Sequence, residues 1–266
     1  MQATAPPDTD GAARWRGKTV LVTGASGFLG GHLTERLRAG GAAVAGVSRT
    51  QRPDEKAGLT WHQCDLEDAE RVADLLARVR PDAIFHLNSL ADGKRDLDLV
   101  LPTFRADVVS SLNLLLAAAR HPVERVLLSG SLEEADTGKP PSSPYGAAKA
   151  CTTLYGELFR ALYDVPVVSA RIFMCYGPGQ PDWKVIPTVA RALMRGQVPA
   201  IASPERAADW IYVNDAVDGL LAAVAAPAAS AARVDIGTGK LTTIREIVTE
   251  LRDLVQPGLT LDFSQA

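Results

Sequence analysis

The sequence predicts a doubly wound α/β fold, an open parallel sheet with helices on both faces, followed by a small C-terminal lobe. Strand-like runs alternate with helical periods as far as Ile172. Each run is a near-continuous apolar stretch, as a strand covered on both faces requires. A glycine-rich turn joins the first run to the first helical period.

The first strand is Lys18–Thr23 (KTVLVT), and a helix over Phe28–Ala39 follows, with Phe28, Leu29, Leu33 and Leu37 in helical period. Ala42–Val47 and Leu59–Gln63 are the second and third strands. Ala69–Val79 is a helix with Val72, Leu75, Leu76 and Val79 on one face, ended by Pro81. Ala83–Leu87 is the fourth strand. Leu97–Arg120 is a long helical stretch in which Pro102 is expected to break or restart the helix. Arg125–Leu128 is the fifth strand, Tyr145–Tyr163 a second long helix closed by Pro166, and Val167–Ile172 the sixth strand. Beyond Gly177, glycines and prolines recur between shorter elements: helices near 185–195, 215–224 and 244–254, and a strand near 210–213. The expected division is a loose tail over 1–16, a sheet domain over 17–176, and a small lobe over 177–266 interleaved with it.

Composition narrows the function. A chain of 266 residues, 47% hydrophobic and 22% charged, has an ordinary globular make-up. A net charge of −3 without a basic block, and only 6% aromatics, argue against a nucleic-acid or membrane-surface binder. Cys64, Cys151 and Cys175 form neither a disulfide framework nor a CxxC pair, which fits a cytoplasmic protein. The four histidines lack ligand spacing, so no metal site is expected. The Ala-rich stretch 220–232 is too short and weak to span a bilayer.

Four features carry chemistry. Gly24, Gly27 and Gly30 lie in TGASGFLG between the first strand and the first helix. Glycines there allow a tight turn and close approach of a pyrophosphate to the free amides of the helix N-terminus, with Ser26, Phe28 and Leu29 beside it. That places a Rossmann-type dinucleotide site here. At the end of the second strand, Ser48-Arg49 stand where an NAD site usually has an acidic residue, so NADP is favoured over NAD; Arg52 is a second candidate for the 2′-phosphate. After the third strand, Asp65 and Leu66 are candidates for the adenine, while Asp65 or Asp68 could equally be a helix N-cap. Tyr145 and Lys149, at i and i+4, share one helix face, where an ammonium can favour a phenolate. Ser131 and Glu133 follow the fifth strand at the sheet edge that faces the ligand; Ser131 can bond a substrate oxygen, and Glu133 is either a second acid/base or a solvated loop residue.

Taken together, TGASGFLG, YGAAK, Ser131, RIFMCYGPGQ (171–180) and DWIYVND (209–215) resemble the extended short-chain dehydrogenase/reductase family. The similarity is to its epimerase/dehydratase branch, which works mostly on nucleotide-activated sugars. The resemblance implies that Tyr145 is the acid/base, that Lys149 tunes it and holds the nicotinamide ribose, and that Ser131 orients the reacting oxygen. It also implies a homodimer through helices 97–120 and 145–163. The family usually has Asn where this chain has Met174, and Arg where it has Ala208, with Arg206 two residues earlier; Met174 and Arg206 are therefore the candidate substrate contacts. The Asn of the long helix preceding the fifth strand is Asp107, and the chain is shorter than most relatives, so a small lobe is expected. The leading expectation is NADP(H)-dependent 4-ketoreduction of a nucleotide-activated deoxyhexose. The alternatives are 4-epimerisation or 4,6-dehydration, the latter suggested by the Ser131-x-Glu133 spacing, and a cofactor-binding protein without turnover.

Overall fold

The computed structural model describes residues 14–53, 56–135, 138–227 and 232–263. They fall into two compact units, Met1–Ile172 with Val217–Asp235, and Phe173–Ala216 with Ile236–Ala266. The first unit thus ends four residues before the expected boundary and takes back a later segment.

The main sheet has seven strands in the order β3-β2-β1-β4-β5-β6-β9: β1 Thr19–Thr23, β2 Ala43–Ser48, β3 Leu59–Gln63, β4 Ala83–His86, β5 Arg125–Ser131, β6 Val167–Ile172 and β9 Arg233–Ile236. The first six pair in parallel, with Val22 opposite Gly46 and Phe85, and Leu128 opposite His86 and Ser169. The order reverses between β1 and β4, and ligands of open α/β sheets bind outside the carboxyl strand ends at such a point. Leu21, Ile84, Val126 and Leu128 on these strands pack with Leu75, Leu76, Leu114, Leu115 and Phe159 in one core cluster. Each buried side chain of this kind contributes about 1.5–3 kcal/mol.

The helices start and stop where the sequence provides caps. α1 is Phe28–Ala39. α2, Ala69–Val79, begins at Asp68, whose carboxylate accepts from the amides of Glu70 and Arg71, and ends at Arg80 in the left-handed region at φ 46°. The N-cap is therefore Asp68; Asp65 instead accepts from the Glu67 amide. α4, Pro144–Tyr163, begins at Ser143, whose hydroxyl accepts from the Gly146 amide, with Pro144 in the first turn. Pro is tolerated there because its missing N–H would have no intrahelical partner.

Three expectations change. Pro102 does not break the long helix. α3 runs from Leu97 to Ala118, opening with a 3₁₀ turn, with Pro102 in its first turns and a π-helical stretch at Phe104–Val109. By length and composition α3 could cross a membrane, but Leu114 and Leu115 lie in the sheet core. The run Ser129–Ser131, expected as a loop, completes β5 and is buried throughout. Trp15, assigned to a loose tail, is 4% exposed and tilts against Phe85 at 5.7 Å; residues 1–13 of that tail lie outside the described residues.

The second unit holds a three-stranded sheet in the order β10-β8-β7, made of β7 Met174–Tyr176, β8 Ala207–Tyr212 and β10 Leu241–Thr243. α6, Val213–Ala225, follows β8. α5 (Val185–Met194) and α7 (Ile244–Val255) pack through Val189, Leu193 and Val248, and Thr243 with Glu246 forms a capping box on α7. Asp209 is buried and accepts from the Thr238 and Gly239 amides, so this acid of the DW motif is a structural brace.

Candidate active site

The glycine loop between β1 and α1 is built for a close-fitting partner. Gly24 has φ +68°, and a Cβ there would lie 2.9 Å from the Leu87 carbonyl carbon; a Cβ on Gly30 would meet the Gly24 oxygen at 2.1 Å. Gly27 caps α1 without a side-chain bond, and the first turn holds no acidic residue. Its amides and the positive end of the helix dipole are thus left for an anion. Ser26 is exposed, and Phe28 and Leu29 are partly so. A cleft of about 600 Å³ opens from Gly24 and Ser26 past Ser48, Arg49 and Arg52 to Asp65 and Leu66. A cradle that admits no Cβ, an uncapped helix start and a cleft beyond it fit a dinucleotide.

The far end of the cleft is polar and loosely tied. Ser48 Oγ lies 3.3 Å from the Thr50 amide and 3.5 Å from Arg52 Nε. The Arg49 side chain is exposed, while its carbonyl accepts from Gln63. Arg52 also lies over the Trp61 ring at 5.9 Å. Asp65 borders the same cleft, and Leu66 is buried beneath it with its carbonyl accepting from Asn113.

At the other end, β5 and α4 bring the catalytic candidates together. Lys149 is 3% exposed and donates to the Ser129 carbonyl at 2.9 Å, to Ser129 Oγ at 3.2 Å and to Asp107 Oδ1 at 3.0 Å. Its Nζ is 5.7 Å from the centre of the Tyr145 ring. Burial works against the ammonium, yet the Asp107 carboxylate, with Tyr145 and Glu134 beyond, outweighs it and holds Lys149 above the ordinary lysine value. Ser131, buried at the end of β5, accepts from the Glu133 amide at 3.1 Å, so its own O–H can turn toward an incoming oxygen.

The two glutamates after Ser131 differ. Glu134 is buried and accepts from the Ser131 amide and the Thr153 hydroxyl, with Arg233 at 3.3 Å. Glu133 is half-buried, and its Oε2 accepts from Ser143 Oγ at 3.1 Å. Because Ser143 also caps α4, Glu133 braces the start of the helix that carries Tyr145.

Several residues of the site escaped sequence reasoning. Asn88, Ser89 and Leu90, directly after β4, line the cleft with Arg105 of α3. The signal was available: they leave the strand adjacent to β1 at its carboxyl end. His86 ends β4 fully buried, with Nδ1 2.8 Å from Thr23 Oγ1 and Nε2 3.0 Å from Ser111 Oγ. Burial, aided by the Lys149 charge and opposed by Asp107, pushes this imidazole down to about 3, so it is neutral. Met174 and Arg206 lie in the second unit. Met174 pairs with Trp210 across β7 and β8, and Arg206 is exposed just before β8.

Comparison with known proteins agrees with this geometry. The model of the NAD dependent epimerase/dehydratase family matches residues 20–237. The chain is 30% identical over 260 residues to the UDP-glucose 4-epimerase of Mycolicibacterium smegmatis, covering 88% of this chain and 82% of that one. It is 28% identical over 234 residues to the dTDP-glucose 4,6-dehydratase of Actinoplanes sp., covering 78% and 72%. Its fold is similar to that of the Thermus thermophilus UDP-glucose 4-epimerase solved in complex with NAD, with a TM-score of 0.79 and 25% identity over 92% of this chain and 85% of that one.

Proposed function

The chain belongs to the NAD dependent epimerase/dehydratase family, and from that premise we propose that it moves hydride at C4 of a nucleotide sugar, with 4-epimerisation as the favoured turnover. The observation that carries this reading is the joint placement, along the carboxyl edge of one sheet, of the glycine cradle and of Ser131, Tyr145 and Lys149. The relative identical at 30% over 88% of the chain is itself named a 4-epimerase.

The Gly24–Gly30 loop, through the amides of Ser26, Phe28 and Leu29 and with Gly27 closing the turn onto the Gly24 carbonyl, would hold the pyrophosphate, Ser48 and Arg49 the adenosine ribose, and Asp65 and Leu66 the adenine. A nicotinamide cofactor bound there would supply the hydride acceptor and donor. Tyr145 Oη takes the proton from the sugar hydroxyl and gives it back, Ser131 orients the same oxygen, and the Lys149 charge favours the phenolate.

A second reading, NADPH-dependent 4-ketoreduction of an activated deoxyhexose, is favoured by Ser48, Arg49 and Arg52 at the end of β2, where a 2′-phosphate would sit. Elimination is less well supported, because Glu133 is engaged with the Ser143 cap. We also propose a homodimer. α3 exposes Leu97, Leu101 and Phe104, and α4 exposes Leu154, Leu158 and Leu162, an apolar surface of the kind that a second copy covers. Light scattering should then give twice the chain mass, and a monomer at micromolar concentration would reject it.

The test is incubation with UDP-glucose or UDP-galactose and either NAD+ or NADP+, followed by chromatography of the sugars. Interconversion without net cofactor reduction supports epimerisation. Net consumption of NADPH with a 4-keto nucleotide sugar supports the second reading. Failure of both across UDP-, dTDP- and CDP-sugars overturns the proposal.

A further inference from the structure

Asp107 is the least expected component of the site. It lies on the π-helical stretch of α3, a wide turn that aims it inward, and it is 1% exposed. Its Oδ1 accepts from Ser89 Oγ at 2.5 Å and lies 3.0 Å from Lys149 Nζ, while Oδ2 accepts from the Leu90 amide at 3.1 Å. Ser89 and Leu90 line the cofactor cleft. A lysine ammonium has three donors. Asp107 Oδ1, the Ser129 carbonyl and Ser129 Oγ all lie within 3.2 Å of the Lys149 ammonium. In this arrangement Lys149 acts on Tyr145 by its charge, and that charge is partly offset at its source.

We propose that Asp107 is a positioning residue that fixes the Lys149 ammonium against β5 and attenuates the field Lys149 exerts at Tyr145. The inference rests on the proposed function, in which Tyr145 is the acid/base. Of the other titratable groups around the pair, Glu134 also favours the Lys149 ammonium, but less than Asp107 does. His86 on β4 is neutral, and Glu134 beyond β5 is engaged by the Ser131 amide, Thr153 and Arg233. Glu133 is bonded by Ser143. The sign follows from charge alone: a cation beside a phenol favours the phenolate, and an anion beside that cation opposes it. Removing only the negative charge therefore moves phenolate formation to lower pH.

The experiment reads the phenol directly and needs neither substrate nor cofactor. Near-ultraviolet phenolate absorbance is titrated in the full chain and in Tyr145→Phe, and the difference isolates Tyr145. The same pair is then measured in the Asp107→Asn background, which keeps the shape and removes the charge. The midpoint should move to lower pH in Asp107→Asn. An unchanged midpoint, or one that rises, overturns the inference, because a purely structural role would lower stability without moving it downward. Should Asp107→Asn fail to fold, the parent protein with isotope-labelled lysine gives a second reading, in which loss of one signal in Lys149→Arg identifies the Lys149 ammonium. It should exchange slowly and stay charged above the ordinary value of about 10.4. Fast exchange and ordinary titration would refute the pairing. If Tyr145→Phe keeps its turnover, the proposed function falls while these titrations still stand; if Tyr145→Phe is inactive and the midpoint does not move, only the role of Asp107 falls.

Discussion

At the end of β5 the polar side chains are buried and interlocked, whereas at the end of β2 they are more exposed and held by longer contacts. Lys149 is surrounded by Asp107 and Ser129 at 2.9–3.2 Å; the Ser48 Oγ contacts are 3.3–3.5 Å, and Arg49 is exposed. Both ends face one ligand in the proposed function, but they use different physics. The buried end fixes geometry and field through groups that lose heavily if a partner is removed. The exposed end chooses between cofactors with screened charges that are individually worth little. In the proposed function, reaction type and cofactor preference therefore rest on separate sets of residues.

The largest effect that sharpens the contrast is expected from Lys149→Met. It leaves the Asp107 carboxylate buried without its counter-charge, and should lower unfolding free energy by about 3–5 kcal/mol in urea titrations. Asp107→Asn combined with Lys149→Met removes the pair together and should recover most of that loss. Equal losses in the single and double variants would show that the pair is not coupled.

Acid acts on the same end through His86. Its folded value of about 3 lies below the ordinary 6.5, so the unfolded chain binds the extra proton between these values. The stability from keeping it neutral is present above pH 6.5 and is lost as pH falls toward 3, by at most about 1.4 kcal/mol per unit. His86→Asn should flatten this part of the stability–pH curve; a slope equal to the parent's would contradict the assignment.

At the exposed end, NADPH should bind at least about tenfold tighter than NADH, a difference of about 1.4 kcal/mol, if Arg49 meets a 2′-phosphate. Arg49→Asp should erase or invert that preference, and added salt should shrink it because the charge is solvent-exposed. Equal affinities in the parent chain would assign the cleft to NAD. The smallest effect is at the brace between the two glutamates and α4. Ser143→Ala removes the N-cap and the Glu133 bond together and should lower stability by about 1 kcal/mol, seen as a shift in the thermal midpoint with cofactor affinity retained.

The contrast also explains what the sequence could say. β1 to β6 were legible because each is an apolar run between helical periods, and α1, α2 and β3 begin and end at the expected residues. β7 (MCY), β9 (RVDI) and β10 (LTT) were not, because three or four residues of mixed character become strands only through their neighbours. Ser131, Tyr145 and Lys149 could be read from spacing and position. The partners of Lys149 could not, because Asp107 reaches it only through a π-helical stretch that no residue pattern announced. Pro102 signalled irregularity in that helix, but not its form.

In the proposed function the buried end performs the chemistry and the exposed end holds the cofactor, and Tyr145→Phe separates these two roles. With the parent chain turning over a UDP-hexose, the variant is assayed for interconversion and, by fluorescence titration, for dinucleotide affinity. The phenyl ring fills the same space without a transferable proton, so affinity should stay within about threefold, well under the tenfold worth 1.4 kcal/mol, while turnover falls at least about 10²-fold. A variant that keeps more than about a tenth of the parent turnover, with the cofactor still bound, would contradict the account.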